Sequence, residues 1–230
     1  MADAGLVVAM MVYAYLVGSI PTAYLVARWV KGIDIRRYGS GNMGSSNVTR
    51  NVGRGYGVFV GVFDALVKGT ATVALARTVG LDPEYQALAA LFAVAGHNWS
   101  LFFWPSGGRA LSVIIGSLMI LAWKELLALL AVAAIGFLLF RGLALWVGIA
   151  LILLPVWATV FGEPAPVVWF CVGAAAASVL KRLLSNPGTA PPGLRWRDMA
   201  IPRLLFDRDT IKAGNWVART PDDEDAITNE

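Results

Sequence analysis

The 230-residue chain has one cysteine, Cys171, and one histidine, His97. A single cysteine excludes an intrachain disulfide framework and any zinc site built on several thiolates. A single histidine excludes a multi-histidine metal site. Charge is scarce as well: Asp, Glu, Lys and Arg make up 15% of the residues, against about 25% in an ordinary soluble domain. With 57% apolar residues and a mean hydropathy of +0.64, that scarcity excludes a disordered chain and argues against a soluble globular domain. The formal net charge of +4 is no nucleic-acid signature, because the charges are segregated. Residues 1–180 hold 11 Lys/Arg and 7 Asp/Glu, and residues 181–230 hold 8 of each. No nucleic-acid partner is expected.

What the chain has instead is apolar runs. A spanning helix needs roughly 20 mostly apolar residues to cross about 30 Å of hydrocarbon. Seven segments fit: residues 6–30, 56–79, 85–104, 110–123, 126–140, 143–161 and 165–180. The first lacks the basic start and cleavage motif of a signal peptide and reads as a retained helix, kinked at Pro21. Residues 110–140 allow one helix or two meeting at Lys124-Glu125, and the positive-inside rule selects two. With seven spans and the N-terminus outside, the inside segments carry 15 Lys/Arg and the outside loops carry Lys124 alone. The expected fold is therefore an all-α polytopic membrane protein with seven transmembrane helices, N-terminus out and C-terminus in. Residues 1–180 form the membrane domain and 181–230 a cytoplasmic tail. In that tail residues 186–193 are a breaker cluster. Trp196, Ile201, Leu204, Leu205 and Phe206 alternate with arginines, which suits either an anionic leaflet surface or a partly ordered cytoplasmic tail. The acidic residues 221–230 read as disordered.

Three stretches carry chemistry. In the first inside loop, Gly39, Gly41 and Gly44 let the backbone turn and approach a ligand. Ser40, Ser45 and Ser46 add hydroxyls, Asn42 and Asn47 add amides, and Arg50 offers a guanidinium fork for phosphate. Arg36, Arg37 and Arg54 flank the loop. The second stretch runs through Gly96, His97 and Asn98 to Gly107, Gly108 and Arg109, and repeats the logic of flexible backbone donors followed by an arginine. His97 reads as either structural or functional. The third feature is Asp64 with Lys68, four residues apart in the second helix. Ionisable groups inside a membrane are costly, so the pair either braces the bundle or presents the lysine to a phosphate.

These residues resemble the bacterial integral-membrane glycerol-3-phosphate acyltransferases that use acyl phosphate as donor. The resemblance rests on Gly18-Ser19-Ile20-Pro21, on Lys31-Gly32-Ile33-Asp34-Ile35-Arg36, and on the stretches 39–50 and 96–109. It implies seven spans with the active site on the cytoplasmic side. The second half departs from the family. The glycine-glycine-lysine-glycine run reads Gly107-Gly108-Arg109-Ala110 here. Arg141-Gly142-Leu143-Ala144-Leu145-Trp146-Val147 lacks the family's serines. The His-Arg-x-Asn-Ile motif expected before Lys181-Arg182 is replaced by Ala176-Ala177-Ser178-Val179-Leu180. The family's Asp-x-x-Lys-Gly carries one extra residue, so that Asp64 precedes Lys68-Gly69 by four.

The implied reaction makes lysophosphatidic acid and inorganic phosphate from acyl phosphate and glycerol 3-phosphate, as a step of phospholipid synthesis in the inner (plasma) membrane. The resemblance implies no metal or nucleotide cofactor; an upstream acyl-phosphate-forming enzyme is the implied partner, with membrane lipids as surroundings. His97 and Arg109 are the candidate catalytic residues. Ser40, Gly41, Asn42, Gly44, Ser45, Asn47, Arg50, Lys68, Asn98, Gly107 and Gly108 are the candidate substrate-binding residues. The lost motif leaves two alternatives: a catalytically impaired paralogue that binds a phosphate-bearing lipid or regulates an active partner, and a small anion transporter.

Overall fold

The computed structural model describes residues 3–186, 195–209 and 220. All regular structure among them is helical: α1 Ala4–Ser19, α2 Thr22–Lys31, α3 Ser45–Asn51, α4 Arg54–Phe63, α5 Ala71–Thr78, α6 Pro83–Asn98, α7 Leu111–Leu121, α8 Trp123–Phe140, α9 Leu143–Val160, α10 Ala165–Leu184 and α11 Trp196–Phe206. Five helical stretches are long and apolar enough to cross a membrane: Ala4–Lys31, Arg54–Thr78, Trp123–Phe140, Leu143–Val160 and Ala165–Leu184. Two of the seven expected spans are shorter, because α6 has 16 residues and α7 has 11. Residues 110–140 do divide in two, but the break falls at Ala122 rather than at Lys124-Glu125. No glycine or proline marks it; the chain simply leaves helical φ/ψ there.

Pro21 does more than kink the first span. The ring cannot donate to a helix ladder, and α1 stops at Ser19 before α2 starts at Thr22. The carbonyls freed by the break find partners elsewhere. Ser19 O accepts from Ser100 Oγ at 2.7 Å, and Ile20 O accepts from Lys68 Nζ at 2.6 Å. The interruption thus joins three distant parts of the chain at one point.

Small residues let the helices approach closely, as membrane packing requires. A Cβ on Gly18 would collide with the Ala93 backbone of α6, and one on Gly96 with the Tyr15 backbone of α1. The bundle's main core gathers Val113, Ile114 and Leu118 of α7, Leu154 of α9 and Phe170 of α10. Outward-facing positions are apolar as well, among them Phe59, Leu138, Leu139, Ile152, Val160 and Trp169. An apolar exterior over an apolar core is the pattern of a lipid-embedded bundle.

Between α4 and α5 the helix does not end. It widens into a π turn at Asp64–Thr70. A π turn accommodates one extra residue in a continuing helix. The extra residue between Asp64 and Lys68 is therefore absorbed here, and both side chains still face inward.

Beyond α10, which runs four residues past the expected boundary at 180, α11 packs on α9 and α10. Arg203 Nη1 donates to Leu183 O at 2.7 Å, and Arg182 Nη1 donates to Leu204 O at 2.8 Å. Arg203 also pairs with Asp209 at 2.5 Å. The described part of the tail is thus bonded to the bundle. Of the breaker cluster only Asn186 is described, and residues 221–230 lie outside the described residues.

Candidate active site

The first inside loop is held by its own asparagine. Asn47 is buried, and its Nδ2 donates to the carbonyls of Ile35 (3.1 Å), Tyr38 (3.0 Å) and Asn42 (3.1 Å). Gly39 and Gly41 carry the positive φ values, 51° and 65°, that the loop's turns require. The loop delivers Ser40, Asn42 and Gly44, with Ser45, Ser46 and Arg50 of α3, to the wall of a cavity of about 460 Å³. Arg50 is exposed and has no hydrogen bond or ion pair among the described residues. Asn47 itself is not on the wall. It shapes the loop rather than meeting a ligand.

Asp34 and Arg36 sit outside the cavity as a clamp. Arg36 Nη2 reaches Asp34 Oδ2 at 2.6 Å, and its guanidinium stacks over Phe103 with 4.4 Å to the ring centroid. Burial alone raises the Asp34 carboxyl, but the Arg36 hydrogen bonds outweigh it and hold the group below its usual value.

The cavity floor is ionic. Lys68 Nζ lies 2.7 Å from Asp64 Oδ1, and Thr22 Oγ1 donates to the same oxygen at 3.0 Å. Lys68 Nζ also lies 3.4 Å from His97 Nδ1. An ammonium has only donors to offer, so in this contact Nδ1 is the acceptor, and Asp64 Oδ2 lies 3.9 Å from the same nitrogen. Asp64 and His97 line the cavity, while Lys68 lies beneath it.

Gly107 and Gly108 differ from expectation. They form no anion nest, because their N–H groups are already used. Gly107 N donates to Asn186 Oδ1 at 3.1 Å, and Gly108 N donates to His97 O at 2.9 Å. The glycines are needed for close packing instead. A Cβ at Gly107 would meet the Asn98 backbone, and one at Gly108 would meet the His97 ring and, at 2.9 Å, Met43 O. Asn98 is fully buried with neither amide atom bonded, and like Gly41 it is off the cavity wall.

Arg109 does reach the cavity. With its amide oxygen turned toward Arg109, Asn42 accepts from Nη2 at 3.0 Å and Nε at 3.2 Å. Arg109 also pairs with Asp207. Burial, helped by the nearby Arg182, lowers the Arg109 guanidinium to about 9, which leaves it charged at neutral pH.

Six contributors stand outside the candidate site residues, and the sequence pointed to Arg182 alone among them, as a cation at the end of the last helix. Asn186 Nδ2 donates to Gly41 O (3.0 Å) and Gly107 O (2.9 Å), while its Oδ1 accepts from Gly107 N and from Lys181 Nζ (2.9 Å). It stitches the two glycine loops to the end of α10. Phe206, Asp207 and Arg208 line the cavity from the tail. Where the resembled family has its last motif, α10 presents Ser178 and Arg182. An asparagine in a breaker cluster and an arginine after a helix give no local signal that they turn inward.

Known proteins place this geometry. The profile of the glycerol-3-phosphate acyltransferase family matches residues 8–187. Glycerol-3-phosphate acyltransferase 5 of Dehalococcoides mccartyi is 35% identical over 216 residues, covering 91% of this chain and 92% of its own. Glycerol-3-phosphate acyltransferase 2 of Moorella thermoacetica is 40% identical over 187 residues, covering 76% and 93%. The crystal structure of PlsY, an integral membrane glycerol 3-phosphate acyltransferase, in its glycerol 3-phosphate form superposes with a TM-score of 0.72 at 30% identity, over 77% of this chain and 88% of that one. A second crystal structure, the lysophosphatidic acid form, superposes with a TM-score of 0.70. A profile match over most of the length and a shared membrane fold agree with the serine- and arginine-lined cavity: the chain belongs to the glycerol-3-phosphate acyltransferase family.

Proposed function

We propose that this protein transfers an acyl group from acyl phosphate to a hydroxyl of glycerol 3-phosphate within the cavity bounded by Ser40, Ser45, Arg50, His97, Arg109 and Arg182. The hydroxyl oxygen attacks the acyl carbonyl, the bond from that carbon to the phosphate oxygen breaks, and the departing phosphate takes the electron pair. The hydroxyl proton goes to the leaving phosphate. The products are lysophosphatidic acid and inorganic phosphate. An acyl phosphate is already activated, so no nucleophilic side chain is required. The remaining task is to hold two anions close together and in line, which is work for positive charge and oriented donors. His97, on the cavity wall with Lys68 beneath it, fits the role of a donor to developing negative charge.

The observation that carries this reading is the convergence of Arg50, Arg109 and Arg182 on one cavity beside the serines of the first loop. The reading extends to topology. The chain crosses the plasma membrane seven times with its N-terminus outside, its tail and cavity face the cytoplasm, residues 1–180 are the membrane domain, and the acyl chain lies between helices. The charge distribution, 15 Lys/Arg on one side against Lys124 on the other, supports this orientation. An enzyme that forms acyl phosphate must supply the donor.

The deciding experiment mixes purified protein with glycerol 3-phosphate and palmitoyl phosphate and scores phosphate release and lysophosphatidic acid. Both products are expected. A protein that binds glycerol 3-phosphate without turnover would instead be the impaired paralogue. A reporter fused after Glu230 is expected in the cytoplasm and one inserted at Asp82 outside; an external C-terminus would overturn the seven-span topology.

A further inference from the structure

The family profile ends at residue 187, yet the cavity does not. Its last wall is the turn after α11. Asp207 caps that helix in the left-handed conformation, with φ 57° and ψ 38°, and this turns its carboxylate into the cavity. There it pairs with Arg109 and lies 4.0 Å from Arg182 Nε. Both arginines are otherwise held by the scaffold: Arg109 on the Asn42 amide, and Arg182 on the carbonyls of Ala144 and Leu204 at 2.8 Å each. The other charges facing this group are Arg208 on the wall, Arg203 with Asp209 behind it, and Lys181 on Asn186.

Two guanidinium groups held side by side repel one another unless an anion lies between them. A substrate would bring such an anion as a phosphate, and the chain brings one itself as the Asp207 carboxylate. Resting on the reading of the cavity as a phosphate site, we propose that Asp207 occupies the phosphate place between Arg109 and Arg182 as a built-in competing anion, and yields the place when a phosphate-bearing substrate enters. The contact makes substrate binding an exchange of one anion for another. The tail thereby sets the affinity of the site, because phosphate binds only the fraction of molecules in which the carboxylate has moved aside.

The test uses the full-length protein in detergent micelles with inorganic phosphate and glycerol 3-phosphate as probes, followed by isothermal titration. Asp207→Asn keeps the side-chain shape and removes the competing charge. It should bind both probes at least about fivefold more tightly, because the competent fraction rises. Its KM for glycerol 3-phosphate or acyl phosphate should fall while kcat stays within about twofold. Asp207→Glu, which restores the charge, should return the wild-type values. Asp198→Asn removes the same charge from an exposed position on α11 and should change neither. On wild-type protein, glycerol 3-phosphate should speed hydrogen exchange at the amides of residues 206–209 as the carboxylate lets go. Unchanged or weaker phosphate binding in Asp207→Asn, or slower exchange on adding substrate, would overturn the proposal. Tighter phosphate binding by Asp207→Asn in a protein that makes no lysophosphatidic acid would sustain it and would count against the acyl-transfer reading instead.

Discussion

Two ionic clusters meet in the cavity, and they are held in opposite ways. The floor, Asp64 with Lys68 and His97, is built on helices. Asp64 and Lys68 share one π turn, and their remaining partners, Thr22 and Ile20 O, flank the proline break of the first span. The rim, Arg109 and Arg182 with Asp207, joins a loop, a helix end and the tail, three segments far apart in sequence. The floor is nearly sealed, while side chains of the rim remain partly exposed. A buried pair of this kind is costly to break, and an exchangeable one is cheap to rearrange. The difference teaches what to test: a sealed floor suited to bracing the bundle, and a more exposed rim that the proposed reaction assigns to the substrate anions.

The largest effect should come from breaking the floor. Lys68→Met leaves the Asp64 carboxylate buried and unpaired, which should cost about 3–5 kcal/mol of stability. Denaturant titration in micelles reads this directly, and Asp64→Asn combined with Lys68→Met should recover most of the loss. If Lys68→Met melts like wild type, the floor is not a brace.

Next comes the rim. Arg109→Ala should lower acyl transfer by about 10²–10³-fold at matched folded protein, the range for removing a preorganised donor to transition-state charge. Arg109→Lys restores the family residue and should keep activity. Gly108→Val should be as damaging as Arg109→Ala, since a side chain there strikes the His97 ring. An active Arg109→Ala would show that the rim binds no reacting phosphate.

Asn186→Ala probes the stitch between the two regions. It removes four hydrogen bonds to Gly41, Gly107 and Lys181, and should cost about 2–3 kcal/mol of stability. Both glycine loops should show faster hydrogen exchange in this variant.

Smaller effects are expected in the first loop. Arg50→Ala should weaken glycerol 3-phosphate binding by about 1.5–3 kcal/mol, the range for a charged hydrogen bond. Arg36 is already committed to Asp34 and Phe103, and Arg36→Ala should cost under about 1 kcal/mol in the same titration. Equal losses from both would break the distinction between a substrate arginine and a clamp.

The helical membrane class, the split of residues 110–140 and the tight glycine-rich first loop were legible in the amino-acid sequence. Each is a local property: a hydropathy run, a charge bias beside it, or a glycine-rich turn with hydroxyls and an arginine. Asp64 and Lys68 were legible as a pair for the same reason, because helical spacing alone puts them on one side of a helix. The tertiary structure decided the rest. It turned Gly107 and Gly108 from ligand donors into packing points, since whether a backbone N–H is free depends on what else approaches it. It made Asn47 a loop pin and Asn186 a stitch, because an amide's role follows from which carbonyls lie within 3 Å, and those come from elsewhere in the chain. It brought Asp207 to Arg109, across almost a hundred residues, and no periodicity records such a contact. Sequence patterns report the faces of single elements, whereas a site assembled from several elements exists only once they have packed.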